Sequence, residues 1–317
     1  MRAEIQPALS YASRPDRAFF VPVSTDAERR RPKYHPLNAP CESVSNALQR
    51  VLTAVIGIPL VIGIMYAGGW WFGILVAAAA VLAQHEFYQL ARRTGARPYV
   101  IAGLLAGAAV VLTWFAGLFV IVAGATFVGV VLALPFTLER EQPILDVSVT
   151  IAGIVYPSLL LGATVALRNA EGIDVGNVEA FWLTLTVVLM VWASDTFAYF
   201  TGRSFGKRPL APKVSPKKTW EGTLGGAAGS LLVGIVLAAT VVDMLSGFDI
   251  VMLAVICGGL SQVGDLAESR LKRSVGAKDS GTVLPGHGGL LDRLDALIIA
   301  MPLAYLYLVF AGRIWMR

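Results

Sequence analysis

From Val51 onward the chain alternates between long apolar blocks and short polar stretches, and the blocks run about 16–22 residues, near the roughly 20 a helix needs to cross a hydrocarbon core. Nine spans are predicted, at 50–68, 70–91, 99–115, 117–136, 148–168, 180–201, 222–245, 248–267 and 294–313. Apolar and polar positions do not alternate within them. The run Ile74–Ala83 is apolar throughout, which excludes the short alternating strands of a transmembrane barrel. Residues 1–45 instead mix Pro, Ser, Arg and Glu with no sustained apolar period and contain Arg29-Arg30-Arg31, so they are predicted to form a disordered basic tail. The pattern predicts an all-α integral membrane protein of about nine transmembrane helices. Its first helices occupy 46–180, and a second region, 181–317, carries polar loops at 202–221 and 268–293.

Composition agrees, since 56% of residues are hydrophobic, 15% are charged and the mean hydropathy is +0.67, above the usage of soluble domains. Charge then orients the spans. With nine crossings the termini lie on opposite faces, and 23 Lys and Arg residues fall on the N-terminal side against 3 on the other, Arg168, Arg313 and Arg317. Basic residues concentrate on the cytoplasmic face of membrane proteins, so the tail and the loops near 92–98, 137–147, 202–221 and 268–293 are expected there, in an inner or cell membrane. The net charge of +5 follows from this bias, and no nucleic-acid partner is expected. Two cysteines, Cys41 and Cys257, and three scattered histidines give no disulfide or zinc spacing; of the histidines only His287 has an informative context.

Ionisable groups within spans are costly, so their depth is informative. Glu86, Asp195, Glu221, Asp265, Glu268, Asp292 and Asp295 all fall at the cytoplasmic ends of their helices. One such carboxylate could simply pair with a flanking Lys or Arg, but so many at one depth read as a site lining a cytoplasm-facing polar cavity. Two loops supply the opposite charge. In 201–222, Ser215-Pro216-Lys217-Lys218-Thr219 combines hydroxyls, ammonium groups and turn amides just before a helix N-terminus, a candidate cradle for a phosphate chain. It is not a Walker loop, because GxxxxGK[ST] is absent.

In 263–295, a helix continuing to Arg273 would put Asp265, Glu268 and Lys272 on one face, with Ser261 one turn earlier. Gly276, Gly281, Pro285, Gly286, Gly288 and Gly289 then break regular structure, and Asp292 restarts a helix. Asp265 and Asp292, brought together across this loop, could hold a hard divalent cation. Magnesium suits, because it commonly takes one or two carboxylates plus substrate phosphates.

The segment Ser269–Asp295, SRLKRSVGAKDSGTVLPGHGGLLDRLD, closely resembles the signature of the phosphatidate cytidylyltransferases, or CDP-diglyceride synthases. The likeness extends upstream through Asp195, Gly202-Arg203, the run Ser215–Gly222 and Gly264-Asp265, with a weak match at Glu86-Phe87. It implies that CTP and phosphatidic acid give CDP-diacylglycerol and pyrophosphate. On that reading Asp265 and Asp292 bind Mg²⁺, alone or with a second cation. Lys217, Lys218, Lys272, Arg273, Lys278 and Arg293 hold phosphates, and Ser215, Thr219, Ser269 and His287 add hydrogen bonds. Asp195, Glu221 and Asp279 complete the candidate substrate site, with Asp279 either orienting Lys278 or pairing with it. The resemblance also suggests a homodimer among membrane lipids. A proton-coupled transporter is the rival from another class, and a CTP-dependent lipid kinase, releasing CDP, is the rival enzyme.

Overall fold

A bilayer offers no partner to a backbone N–H or C=O, so each apolar block closes its own hydrogen bonds as a helix. The structure, a computed structural model, describes residues 42–115, 124, 125, 129, 141–281, 283 and 288–315, with the backbone alone for 42–54. Helix α1 is Glu42–Ala67, α2 Gly69–Arg92, α3 Val100–Thr113, α4 Pro143–Arg168, α5 Asn177–Phe205, α6 Trp220–Thr240, α7 Gly247–Ser274 and α8 Leu291–Phe310. Helices α4 and α7 each contain a π turn, Ile154–Leu159 and Ile256–Leu260. The first encloses Pro157, which has no N–H to give and whose ring crowds an α turn; the wider turn accommodates it.

Six of these helices, α2 and α4 to α8, are long and apolar enough to cross a membrane. The apolar part of α1, Val55–Ala67, and α3 are shorter. The expected fourth span, 117–136, lies outside the described residues apart from 124, 125 and 129, as does the tail up to residue 41. Helix α1 begins at Glu42, inside the expected tail, whereas α7 continues past its span to Ser274, one residue beyond the expected Arg273. Hydropathy marks where the bilayer ends, whereas a helix continues until a breaker stops it. The all-α expectation needs one correction. Pro209–Ala211 (β1) and Ser215–Thr219 (β2) form a small antiparallel hairpin, so Ser215–Thr219 is a strand leading into α6 rather than a cradle of unpaired turn amides.

Lipid is as apolar as a leucine side chain, so these helices are joined by close approach of small residues and by buried polar bonds. Helices α5 and α6 meet along Gly222, Gly226 and Gly229; a Cβ at Gly226 would lie 2.8 Å from Ser194 Oγ. Gln84 of α2 donates to the Gly103 oxygen of α3 (2.8 Å) and accepts from Ser158 of α4 (2.7 Å). Tyr88 donates to the Thr150 oxygen (2.8 Å), so α2, α3 and α4 share one buried network.

At one end of the bundle Arg168 is fully buried and donates to the oxygens of Met65 (2.5 Å) and Tyr66 (2.8 Å) at the end of α1, and to the Asn177 side chain (2.7 Å) at the start of α5. The same end carries Asp249, which accepts from Tyr307 (2.7 Å) and pairs with Arg313 (2.7 Å). Two of the three arginines on the charge-poor side are thus spent on internal bonds. The C-termini of α2, α5 and α7 and the N-termini of α6 and α8 gather at the opposite end.

Replacing Arg168 with Met removes the charged donor that ties the end of α4 to the ends of α1 and α5, a loss of about 3 kcal/mol or more. The thermal midpoint of the detergent-solubilised protein should fall by several degrees, with the chemistry at the opposite end intact in the fraction that remains folded.

Candidate active site

Helix α7 carries its polar residues past the apolar span to Ser274, so Asp265, Glu268 and Lys272 stand on successive turns of one face, as the spacing predicts. Lys272 Nζ lies 3.0 Å from Glu268 Oε2 and 2.5 Å from Asp292 Oδ1. One ammonium group thereby joins α7 to the first turn of α8. Asp292 Oδ2 accepts from the amides of Ser280 (2.9 Å) and Gly289 (3.1 Å), which draws the loop between the helices around the carboxylate. The positive end of the α8 dipole favours the anion at this position.

A turn away, Asp265 pairs with Lys218 at 2.5 Å and accepts from Ser269 at 3.2 Å. Lys218 comes from β2, where neighbouring side chains project to opposite faces, so the hairpin turns Lys218 inward and leaves Lys217 exposed. Asp195 of α5 and Asp295 of α8 lie within electrostatic range of Asp265 and Lys218, and Asp295 within range of Glu268. Gly264 makes this possible. A side chain there would press against the Asp295 main-chain oxygen and hold α8 away from α7. Five carboxyl groups thus face two lysines.

The other candidates divide. Thr219 caps α6, its hydroxyl accepting from the Gly222 amide at 3.1 Å. Glu221 accepts from the amides of Lys207 (3.1 Å) and Arg208 (3.2 Å), fixing the approach to the hairpin. Arg273 donates to the Ala277 oxygen at 2.9 Å. These three therefore shape the loops in this structure. Ser215 is half-buried in the hairpin, and Lys278, Asp279 and Arg293 are exposed around the loop. His287 lies outside the described residues.

Among the described residues no three His, Cys, Asp or Glu side chains form a metal cage by themselves. The arrangement instead suits an ion shared with a ligand, because carboxylates outnumber lysines and Glu268 Oε1 is buried without a hydrogen-bond partner. An excess of hard oxygen donors beside two ammonium groups, where the helix ends meet, could hold a cation together with an anionic ligand.

Residues 48–311 match the profile of the cytidylyltransferase family. This chain belongs to the cytidylyltransferase family. It is 33% identical over 286 residues to a phosphatidate cytidylyltransferase of Synechocystis, covering 82% of this chain and 96% of that protein. It is 33% identical over 290 residues to phosphatidate cytidylyltransferase 5, chloroplastic, of Arabidopsis thaliana, covering 82% and 72%. A Brucella abortus phosphatidate cytidylyltransferase is 50% identical over 131 residues, covering 41% of this chain and 48% of that one.

Glu86, Glu268 and Asp295 were named from sequence only as members of the acidic cluster, with no role assigned. Glu86 of α2, at 2% exposure, accepts from the Ser280 hydroxyl (3.0 Å) and from the amides of Leu290 (3.0 Å) and Leu291 (2.8 Å). A lone carboxylate among the apolar residues near the end of span 2 had marked Glu86 in the sequence, and its partners had not been legible.

Asp292→Asn keeps the shape of the side chain and removes its charge, loosening Lys272 and the loop amides together. Turnover in a cytidylyltransferase assay should fall at least about a hundredfold, with the variant still inserted in the membrane and running as a single species in size-exclusion chromatography. Near-wild-type activity would refute a role for this carboxylate in the chemistry.

Proposed function

We propose that the protein is a CTP:phosphatidate cytidylyltransferase that makes CDP-diacylglycerol for phospholipid synthesis. The carrying observation is the similarity to the Synechocystis phosphatidate cytidylyltransferase over nearly that protein's whole length, a match that takes in the region of the clustered carboxylates and lysines. In the reaction a phosphate oxygen of the lipid attacks the α-phosphorus of CTP. A P–O bond forms to the lipid, the bond from the α-phosphorus to the bridging oxygen breaks, and pyrophosphate leaves with that bond's electron pair.

Both reactants are anions, so bringing them together is the main electrostatic task. Lys218 and Lys272 are proposed to exchange their carboxylate partners for phosphate oxygens. Lys217, Lys278 and Arg293, exposed around the same loops, are proposed to receive the outer phosphates. Asp265 and Asp292 are the proposed Mg²⁺ ligands, with Asp195, Glu268 and Asp295 available to a second cation. Bound there, Mg²⁺ would neutralise the triphosphate and stabilise charge on the departing pyrophosphate. The attacking phosphate is already ionised near neutral pH, so the reaction needs no general base.

The fold's six long apolar helices support a multi-pass membrane protein. The finer topology is part of the proposal: nine spans, with the N-terminus and the site facing the cytoplasm, where CTP is made and the basic loops belong by the positive-inside rule. Assembly as a homodimer, suggested by the family resemblance, belongs to the same proposal.

Purified protein given CTP, phosphatidic acid and Mg²⁺ should release pyrophosphate and form CDP-diacylglycerol, with no release of CDP. Appearance of CDP and a further phosphorylated lipid would replace this reading with a kinase. Chelation with EDTA should abolish turnover, and excess Mg²⁺ should restore it.

A further inference from the structure

The loop that holds Asp292 is gripped from both sides by a carboxylate of the N-terminal half. Ser280 precedes the glycine-rich segment and Leu290 and Leu291 follow it; all three donate to Glu86, which reaches them from α2. Ser280 is shared, giving its hydroxyl to Glu86 and its amide to Asp292. Glu86 and Asp292 therefore clamp the same two banks of the loop, and the amides of Leu290 and Leu291, at the start of α8, bring the positive end of the helix dipole to the buried carboxylate.

Two glycines have their identity explained by this clamp. A Cβ at Gly289 would lie 2.6 Å from Glu86 Oε2, and one at Gly281 would lie 2.7 Å from Glu86 Cδ. Helix α2 is itself held firmly. Gln84 and Tyr88 bond to α3 and α4, while Glu86 is turned roughly 200° from Gln84 about the helix axis, toward the loop.

We propose that Glu86 is a positioning residue for cytidylyl transfer: it sets the separation between the Lys278–Ser280 bank and the Leu290–Arg293 bank, and so the shape into which the triphosphate fits. The catalytic part of this inference rests on the function proposed above; the pinning of the loop does not.

The test combines hydrogen–deuterium exchange with steady-state kinetics on the full-length protein in detergent. Glu86→Gln, nearly isosteric, should speed amide exchange over residues 288–293 by about tenfold, the scale of one lost charge-assisted hydrogen bond. It should raise KM for CTP by a similar factor, leave KM for phosphatidic acid within about twofold, and leave exchange across α5 and α6 unchanged. Glu86→Asp keeps the charge on a shorter arm and should fall between Gln and wild type. Unchanged exchange at 288–293, or faster exchange spread evenly over the whole chain, overturns the pinning; faster loop exchange with unaltered kinetics overturns the role in transfer. If Glu86→Gln does not fold, Ser280→Ala removes one of the three donors and should shift exchange and KM in the same direction by less, and no shift overturns the proposal. If the wild-type protein turns over no CTP, the proposed function fails, and the exchange comparison alone still decides whether Glu86 holds the loop.

Discussion

A single ammonium group held between two carboxylates is the contact on which this site depends. Lys272 sits between Glu268 and Asp292, and without it two acidic side chains would face each other in a poorly solvated place. Coulomb repulsion between unit charges about 4 Å apart is of the order of 4 kcal/mol at the effective dielectric of a protein boundary. That repulsion would push α7 and α8 apart at the point where the loop must close. Bonded to both, Lys272 holds the two carboxyl groups and their helices close together.

The membrane dictates where such a cluster can be built. Charges at mid-depth would be costly, so the acidic residues occupy helix ends, and close packing there requires small residues. Gly264 lets α8 approach Asp265, and Gly222, Gly226 and Gly229 let α6 lie against α5 and carry the hairpin to Lys218. The opposite end of the bundle is closed by Arg168 and by Asp249 with Arg313 and Tyr307, so one end is locked by internal bonds while the other keeps its charges available.

Much of this was legible because hydropathy and i, i+4 spacing are local properties. The extension of α7 past the span, the common face of Asp265, Glu268 and Lys272, and the new helix around Asp292 all follow from residues near one another in sequence. Partner choice was not legible, because it depends on which helices pack. Nothing local says that Lys218 turns to Asp265 while Lys217 turns away; that follows from Ser215–Thr219 becoming a strand. Thr219 and Glu221 were placed in the candidate substrate site from sequence, and nothing local showed that each bonds backbone amides near the start of α6. Glu86 is the clearest case: its partners lie some two hundred positions along the chain, and only the packing of α2 against α8 brings them together.

Asp265 and Asp292, each held by a lysine in the free protein, are proposed to converge on one metal–triphosphate complex. A crystal structure with Mn²⁺ and a non-hydrolysable CTP analogue, read by anomalous scattering, tests it most directly. A manganese peak should lie in contact with both carboxylates, with Lys218 and Lys272 turned onto phosphate oxygens. A nucleotide bound elsewhere, or a metal touching neither carboxylate while both lysine pairs persist, would contradict it.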